Sequence, residues 1–228
     1  MQSFSILQVR VGRVGPLGPN GVPSGIDKQP LAGPVVAGSL GLAGDEHGDP
    51  RHHGGADKAI HAYPVGHYPL WRAELPEEAD RFQPGGFGEN LVVDATEAGI
   101  CLGDRFRVGA ALLEVSQGRQ PCWRLNLRFG RGDMARLVQQ TGRSGWYLRV
   151  LEPGALRAGE TAVLDARPNP DWTLARVTRL LYHDRRNMTD LAAFAALPGL
   201  PESWRRLAER RLASGSVEDW SSRVETPG

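Results

Sequence analysis

Short apolar alternations, each cut off by a glycine- or proline-bearing turn, fill the first 165 residues of this chain and then stop. Leu7, Val9 and Val11 alternate with their neighbours, and 90–93, 105–108, 112–116, 146–151 and 161–164 read the same way. A period of two marks a half-buried strand, and many short strands at this spacing favour a closed barrel or a sandwich. The expected fold class is therefore mainly β with helices, a β-barrel-like domain interrupted by helix twice. The first helix, 66–75, carries Tyr68, Trp71 and Leu75 on one side and tolerates Pro69 only near its first turn. The second, 133–140, has Asp133 as its expected N-cap, Met134, Leu137 and Val138 at helical spacing, and Gly142 beyond its end.

At Arg167-Pro168-Asn169-Pro170 two prolines break regular structure, and the apolar period beyond them becomes helical. This divides the chain into 1–167, the β-barrel domain, and 168–228, a small α-helical C-terminal domain. Three helices are expected in the second part: 174–182, a segment at 190–197 capped by Thr189, and a third opened by Pro201 and running to Leu212. Trp204, Leu207, Ala208 and Leu212 share one side of the third. Its arginines, Arg205, Arg206, Arg210 and Arg211, alternate with Glu202 and Glu209, which predicts a solvated face with intrahelical ion pairs rather than a DNA-reading helix.

The charge balance supports that exclusion. The formal net charge is +1 over 228 residues, and the tail beyond Ala166 holds ten Lys/Arg against eight Asp/Glu. Nucleic acid is not expected as a main partner, because such binding needs a net positive, phosphate-neutralising surface. No membrane span is expected either, since no run of about 20 apolar residues occurs. Only Cys101 and Cys122 are present, and the N-terminal residues lack a basic segment followed by an apolar run, so a reducing cytoplasm is the expected location. Two cysteines cannot supply the four thiolates of an ordinary iron–sulfur cluster. Redox work would thus need an external electron-donor protein, and a homo-oligomer is compatible with the helical tail.

Two strings carry the chemistry. In Ser116-Gln117-Gly118-Arg119-Gln120-Pro121-Cys122-Trp123, a cysteine sits in a proline-braced turn directly after an apolar strand pattern, flanked by Arg119 and Arg124. Pro121 biases Gln120 towards an extended conformation, so the thiol is presented from a stiff loop. Nearby cations favour the thiolate, the form that acts as nucleophile or metal ligand. The alternative is a half-buried cysteine behaving as a small hydrophobe. The second string, His53-Gly54-Gly55-Ala56-Asp57-Lys58-Ala59, joins two glycines able to take positive φ to a lysine whose ammonium Asp57 can hold. Backbone N–H groups gathered in such a turn make an anion site, and Lys58 adds a cation. Its alternative is a tight turn before a strand at 59–63. No Walker string, Gly-x-Ser-x-Gly elbow or Gly-x-Gly-x-x-Gly string is present, which argues against P-loop, hydrolase and Rossmann chemistry.

Taken in order, several strings resemble the MOSC-domain proteins, and among them the YiiM-type subgroup. They are Gly41-Leu42-Ala43-Gly44-Asp45-Glu46, the loop at 53–59, Tyr63-Pro64 with His67-Tyr68, Gly88-Glu89-Asn90-Leu91, the arginine and cysteine of Ser116 to Cys122, and Thr141-Gly142-Arg143 with Gly145-Trp146. Ser203-Trp204, Arg210-Arg211-Leu212 and Glu218-Asp219 extend the match through the tail. Two positions depart from the pattern: His47 replaces a glutamine, and Gly118 replaces the proline before the motif arginine. The resemblance implies a β-rich MOSC fold with a three-helix C-terminal domain that binds the molybdenum cofactor, molybdopterin carrying phosphate and dithiolene. It implies Cys122 as metal ligand and catalytic residue, a cofactor contact from His53, Gly54, Gly55 and Lys58, and further holding groups in Asn90 and Arg119.

The activity so implied is reduction of N-hydroxylated substrates such as hydroxylaminopurines, with electrons from an external donor. The alternative is a non-catalytic carrier of molybdenum cofactor or of its sulfur, in which Cys122 would bear a persulfide. A zinc site from His53, His61, His67 and Cys122 is a third reading, although the spacing fits no familiar zinc signature. Cys101 is expected to pack in the core without a chemical role.

Overall fold

The computed structural model describes residues 2–49 and 54–227. In chain order the first strands are β1 (Ser3–Val11), β2 (Gly15–Leu17), β3 (Val22–Ser24), β4 (Gln29–Pro30), β5 (Val35–Gly38) and β6 (Gly41–Leu42). A 3-10 turn at Ala56–Lys58 leads into β7 (Ile60–Pro64), α1 (His67–Glu74), a second 3-10 segment (Pro76–Arg81) and β8 (Leu91–Val93). Then come β9 (Arg105–Val108), β10 (Ala111–Gly118), α2 (Arg124–Phe129), α3 (Met134–Thr141), β11 (Trp146–Glu152), β12 (Gly154–Leu156) and β13 (Thr161–Ala166). The tail holds α4 (Leu174–Tyr182), α5 (Met188–Ala195), α6 (Glu202–Ser214) and α7 (Ser221–Val224).

Among the described residues, seven strands close into a barrel in the order β13-β9-β10-β11-β7-β8-β1, with β1 pairing back onto β13. Closure removes the unpaired edges that an open sheet of such short strands would expose. The barrel pairs are antiparallel except β7–β8, which is parallel. A parallel pair needs a long crossover, and here it contains α1 and the turn that follows. That crossover builds an apolar cluster of its own, in which Tyr63 stacks on Phe87 at 4.3 Å and Phe82 on Phe129 at 4.8 Å.

The larger cluster fills the barrel with Ile6, Phe106, Leu113, Val115 and Trp146 and continues without a break into Leu174, Val177, Phe194 and Trp204 of the tail. Strand therefore gives way to helix between β13 and α4 while the core remains continuous. No helix among the described residues is long and apolar enough to cross a membrane.

Several local expectations are corrected. Helix interrupts the strand region three times rather than twice, because α2 begins just after Cys122 and ends on Gly130 at φ 66°. Asp133 does stand at the N-cap of α3, but its side chain makes no capping bond; Asn126 Oδ1 from α2 accepts from Ala135 N at 2.8 Å instead. Helix α5 is capped by Asn187, which accepts from Asp190 N, and Thr189 lies inside the helix. On α6, Arg206 pairs with Glu202 as expected, whereas Arg211 is buried against Glu218 and the Leu181 carbonyl. The even charge spacing on α6 concealed that buried position.

Candidate functional site

The end of β10, the 3-10 turn before β7, β11, the loop ahead of β8 and the stretches 24–28 and 46–49 converge on one pocket. It encloses about 570 Å³, its open mouth included. Arg119 leaves β10 with its backbone N–H donating to the Gly145 carbonyl at 3.0 Å. Gly145 has φ 70°, and a Cβ there would stand 2.2 Å from the Ala62 carbonyl, so only glycine lets this crossing close.

The Arg119 side chain is 7 % exposed, and its Nη1 has no hydrogen-bond partner. It lies against the Tyr147 hydroxyl, and no carboxylate pairs with it among the described residues. A buried guanidinium without a counter-ion is costly, so the pocket is poised for an anion. Burial pushes the Tyr147 phenol up, with Arg119 opposing. It pushes His61 down to about 3, with the Arg119 charge adding to the effect, so His61 is neutral here.

The opposite wall is a closed polar network. Asp45, with no exposed side-chain surface, accepts from Lys28 Nζ and from Gly12 N at 2.8 Å through Oδ1, and from Asn90 Nδ2 at 2.9 Å through Oδ2. Asn90 also donates to the Arg10 carbonyl and accepts from His61 N. Both amide hydrogens of Asn90 are thus committed inside the protein, and its task is to position the wall. Burial lowers the Lys28 pKa against the opposing pull of Asp45. Glu89, wholly buried, holds the neighbouring loop by accepting from Tyr68 Oη and from the Gly85 and Phe87 amides.

Cys122 is 9 % exposed and ends the loop braced by Pro121, immediately before α2. It lines two cavities: the pocket just described and a second one towards the C-terminal segment. Lys58 lines both as well. Its pKa is lowered by burial, with the Cys122 sulfur and the Asp57 and Asp49 carboxylates acting in the opposite sense. Arg124 pairs with Asp49 at 3.5 Å and covers the Trp123 ring at 4.7 Å.

The structure therefore brings Cys122, Lys58, Asn90 and Arg119 to one pocket. Gly54 and Gly55 stand outside its lining. Gly55 takes positive φ, at 94°, and an added Cβ there would meet open space. His53 lies outside the described residues. Asp57 does not hold Lys58 directly: its carboxylate takes Arg149, at 2.6 Å and 2.9 Å, and acts on the ammonium through charge alone.

The remaining histidines point to other tasks. His61 Nε2 faces the Ser144 carbonyl, and His67 Nε2 pairs with Glu97 at 2.9 Å. The described residues contain no group of three side chains able to hold a metal ion in the manner of the zinc reading. Cys101 is buried, with its thiol directed to the Pro170 carbonyl, and lines neither cavity. Chemistry-based reading missed Lys28 and Tyr147 as pocket residues. Neither sits in a charged cluster or a motif string, whereas Asp45, which fixes Lys28 from behind the wall, belongs to the Gly44-Asp45-Glu46 string. His47, one of the two departures from the resemblance, forms part of the wall, and burial lowers its pKa, with the Lys28 charge adding to the effect. At Gly118, the other departure, a Cβ would make ordinary contact with Trp204 at 3.5 Å, so this position does not require glycine.

Comparison with known proteins agrees with this arrangement. Residues 49–163 match the MOSC domain, and residues 172–215 match the family described as YiiM-like, 3-alpha helix domain. Protein YiiM of Escherichia coli (strain K12) is 39 % identical over 207 residues, covering 90 % of this chain and 92 % of that protein. A protein of Gibberella moniliformis named Reductase is 40 % identical over 213 residues, which cover 92 % of this chain but 37 % of that longer protein. The crystal structure of YiiM from Escherichia coli superposes with a TM-score of 0.80 at 35 % identity, covering 94 % of this chain and all of that one. With barrel, helical tail and site strings in one order, this chain belongs to the MOSC-domain family, in its YiiM-like branch.

Proposed function

We propose that this protein binds the molybdenum cofactor and reduces N-hydroxylated substrates with electrons from an external donor protein. The observation that carries the reading is the buried Arg119, with Nη1 unpartnered and no carboxylate against it, in the pocket that also presents Cys122. The cofactor combines an anionic phosphate with a thiophilic metal, and these residues fit both halves. Arg119 offers a buried cation to the phosphate, with Lys28 and His47 on the wall across from it. Cys122 offers a soft sulfur donor.

When bound, the cofactor supplies two-electron exchange and an acceptor for the substrate oxygen. In the overall reaction the N–O bond of R–NHOH breaks, two electrons and two protons are taken up, and R–NH2 and water are released. Cys122 would hold the metal, with the Lys58 ammonium lining the same pocket beside it. Tyr147 and Phe87 close the pocket against bulk water, which strengthens each of these interactions.

The test is expression in cofactor-competent cells, followed by molybdenum and pterin analysis and assay with a hydroxylaminopurine under a reducing donor. Retained cofactor with turnover upholds the reading. Retained cofactor or sulfur transfer without turnover would make the protein a carrier, and absence of both would overturn cofactor binding.

A further inference from the structure

One residue of the C-terminal segment grips the Cys122 loop on both sides of the cysteine. Arg223 of α7 donates from Nη1 to the Pro121 carbonyl, and its own main-chain carbonyl accepts from Trp123 N at 2.8 Å. The groups so bonded belong to the residues immediately before and after Cys122. Elsewhere the loop is anchored only towards its ends, where Arg119 N donates to the Gly145 carbonyl and the Cys122 carbonyl accepts from Leu125 N, each at 3.0 Å. Between these anchors lie the carbonyl of buried Pro121 and the amide of Trp123, which stands at the N-cap of α2 and has no partner within that helix. A buried polar group without a partner is costly, and Arg223 meets both.

The guanidinium is itself fixed. Its Nη2 donates to Gln139 Oε1 on α3, and its carbon lies 5.9 Å from the centre of the Tyr182 ring on α4. The segment around it runs from the helical tail back onto the barrel side. Trp220 packs edge-on against Tyr182 at 5.5 Å, and Asn126 Nδ2 on α2 donates to the Val224 carbonyl at 2.9 Å. Arg136 on α3 pairs with Glu225. Ser222 and Arg223 also wall the second cavity, the chamber that meets the Arg119 pocket at Cys122. Arg223 lies beyond 172–215, the segment that matches the helical family.

We propose that Arg223 is a positioning residue for Cys122: it fixes the peptides on either side so that the thiol stays directed at the pocket shared with Arg119 and Lys58. The bearing on the cofactor rests on the reading of Cys122 as the residue that holds the metal, whereas the brace itself rests on the two bonds. A thiol only 9 % exposed reacts through local opening of its loop, and each bond lost makes that opening more frequent.

The experiment treats full-length protein, produced without molybdate, with iodoacetamide and follows both cysteines by peptide mass spectrometry. Arg223→Met removes the bond to the Pro121 carbonyl and should speed labelling of Cys122 about tenfold, the effect of one lost hydrogen bond on an opening equilibrium. Cys101 in the same sample should label at the wild-type rate, because a local brace acts on one loop whereas general loosening exposes both thiols. Arg136→Gln loosens the same segment at Glu225, away from the cysteine loop, and should leave Cys122 labelling unchanged. In protein made with molybdate, Arg223→Met should lower the bound molybdenum. Wild-type Cys122 labelling in Arg223→Met, equal acceleration at Cys101, or the same acceleration in Arg136→Gln overturns the positioning role. If labelling responds as expected while even the unmodified protein binds no molybdenum, the brace stands and the cofactor reading fails.

Discussion

Asn90 Nδ2 donates to Asp45 Oδ2 at 2.9 Å while Asn90 Oδ1 accepts from the His61 amide, so one side chain ties the Gly-Asp-Glu stretch to β7 of the barrel. Asp45 in turn fixes Lys28. Pocket wall and barrel are thus joined by one hydrogen-bonded network.

Replacing Asn90 with leucine leaves the His61 amide, the Arg10 carbonyl and one Asp45 oxygen without partners in a buried setting. The expected cost is about 2 kcal/mol or more, from the desolvation of each orphaned group. Urea unfolding of Asn90→Leu should show the loss, with cofactor retention falling alongside it. Wild-type stability with selective loss of cofactor would return Asn90 to the role of direct ligand contact.

The two cysteines should separate cleanly. Cys122→Ser replaces a soft donor shared by both cavities and should lose most bound molybdenum and turnover. Cys101→Ser keeps a donor towards the Pro170 carbonyl, stands outside both cavities and should retain both activities. Metal analysis and steady-state rates on folded variants decide between them, and equal behaviour would remove Cys122 from the chemistry.

Much of this was legible because barrel strands announce themselves by alternation. The pattern over 105–108 and 112–116 became β9 and β10, and 174–182 became α4 with the same bounds. Helix α2 was missed because six residues hold too little periodicity to separate a helix from a strand, leaving Gly130 as the sole marker. Cys122, Lys58 and Arg119 stood in recognisable strings and meet in the fold. Tyr147 and Lys28 did not, since a tyrosine on an alternating strand and a lone lysine between turns acquire meaning only when barrel closure brings them across from Cys122. The Asp57–Arg149 pair has the same origin: its partners are 92 residues apart and adjoin only after β7 and β11 pair.

Acid should destabilise the protein through His61. Its pKa is held near 3 by burial and by Arg119, below the ordinary value of 6.5. Below pH 6.5 the unfolded chain gains a proton that the folded chain refuses, so stability is complete above that pH and falls as the pH drops towards 3. The slope from this group alone approaches about 1.4 kcal/mol per pH unit. Denaturant midpoints for the wild type and His61→Gln at pH 7 and pH 4.5 should converge at the lower pH. A gap independent of pH would show that His61 titrates normally.

The C-terminal segment supplies the last test. Arg211 is 2 % exposed, and its main partner is Glu218, bonded at 2.7 Å and 2.9 Å. Partial burial pushes the Glu218 carboxyl up, but hydrogen bonds from Arg211 and Trp220 outweigh it and hold the pKa to about 2. This contribution is therefore present above the ordinary carboxylate pKa of 4.5 and lost as the pH falls towards 2. A chain ending after Gly215 leaves the Arg211 guanidinium buried with the Leu181 carbonyl alone, which should cost about 3–5 kcal/mol. The same truncation removes the Arg223 braces on Pro121 and Trp123, and with them the chamber wall beside Cys122. Glu218→Gln separates the two effects: it weakens the ion pair but keeps the wall, so it should lower the melting temperature and preserve molybdenum content, whereas the truncation lowers both. Equal molybdenum content in the folded truncation would show that α7 supports stability alone.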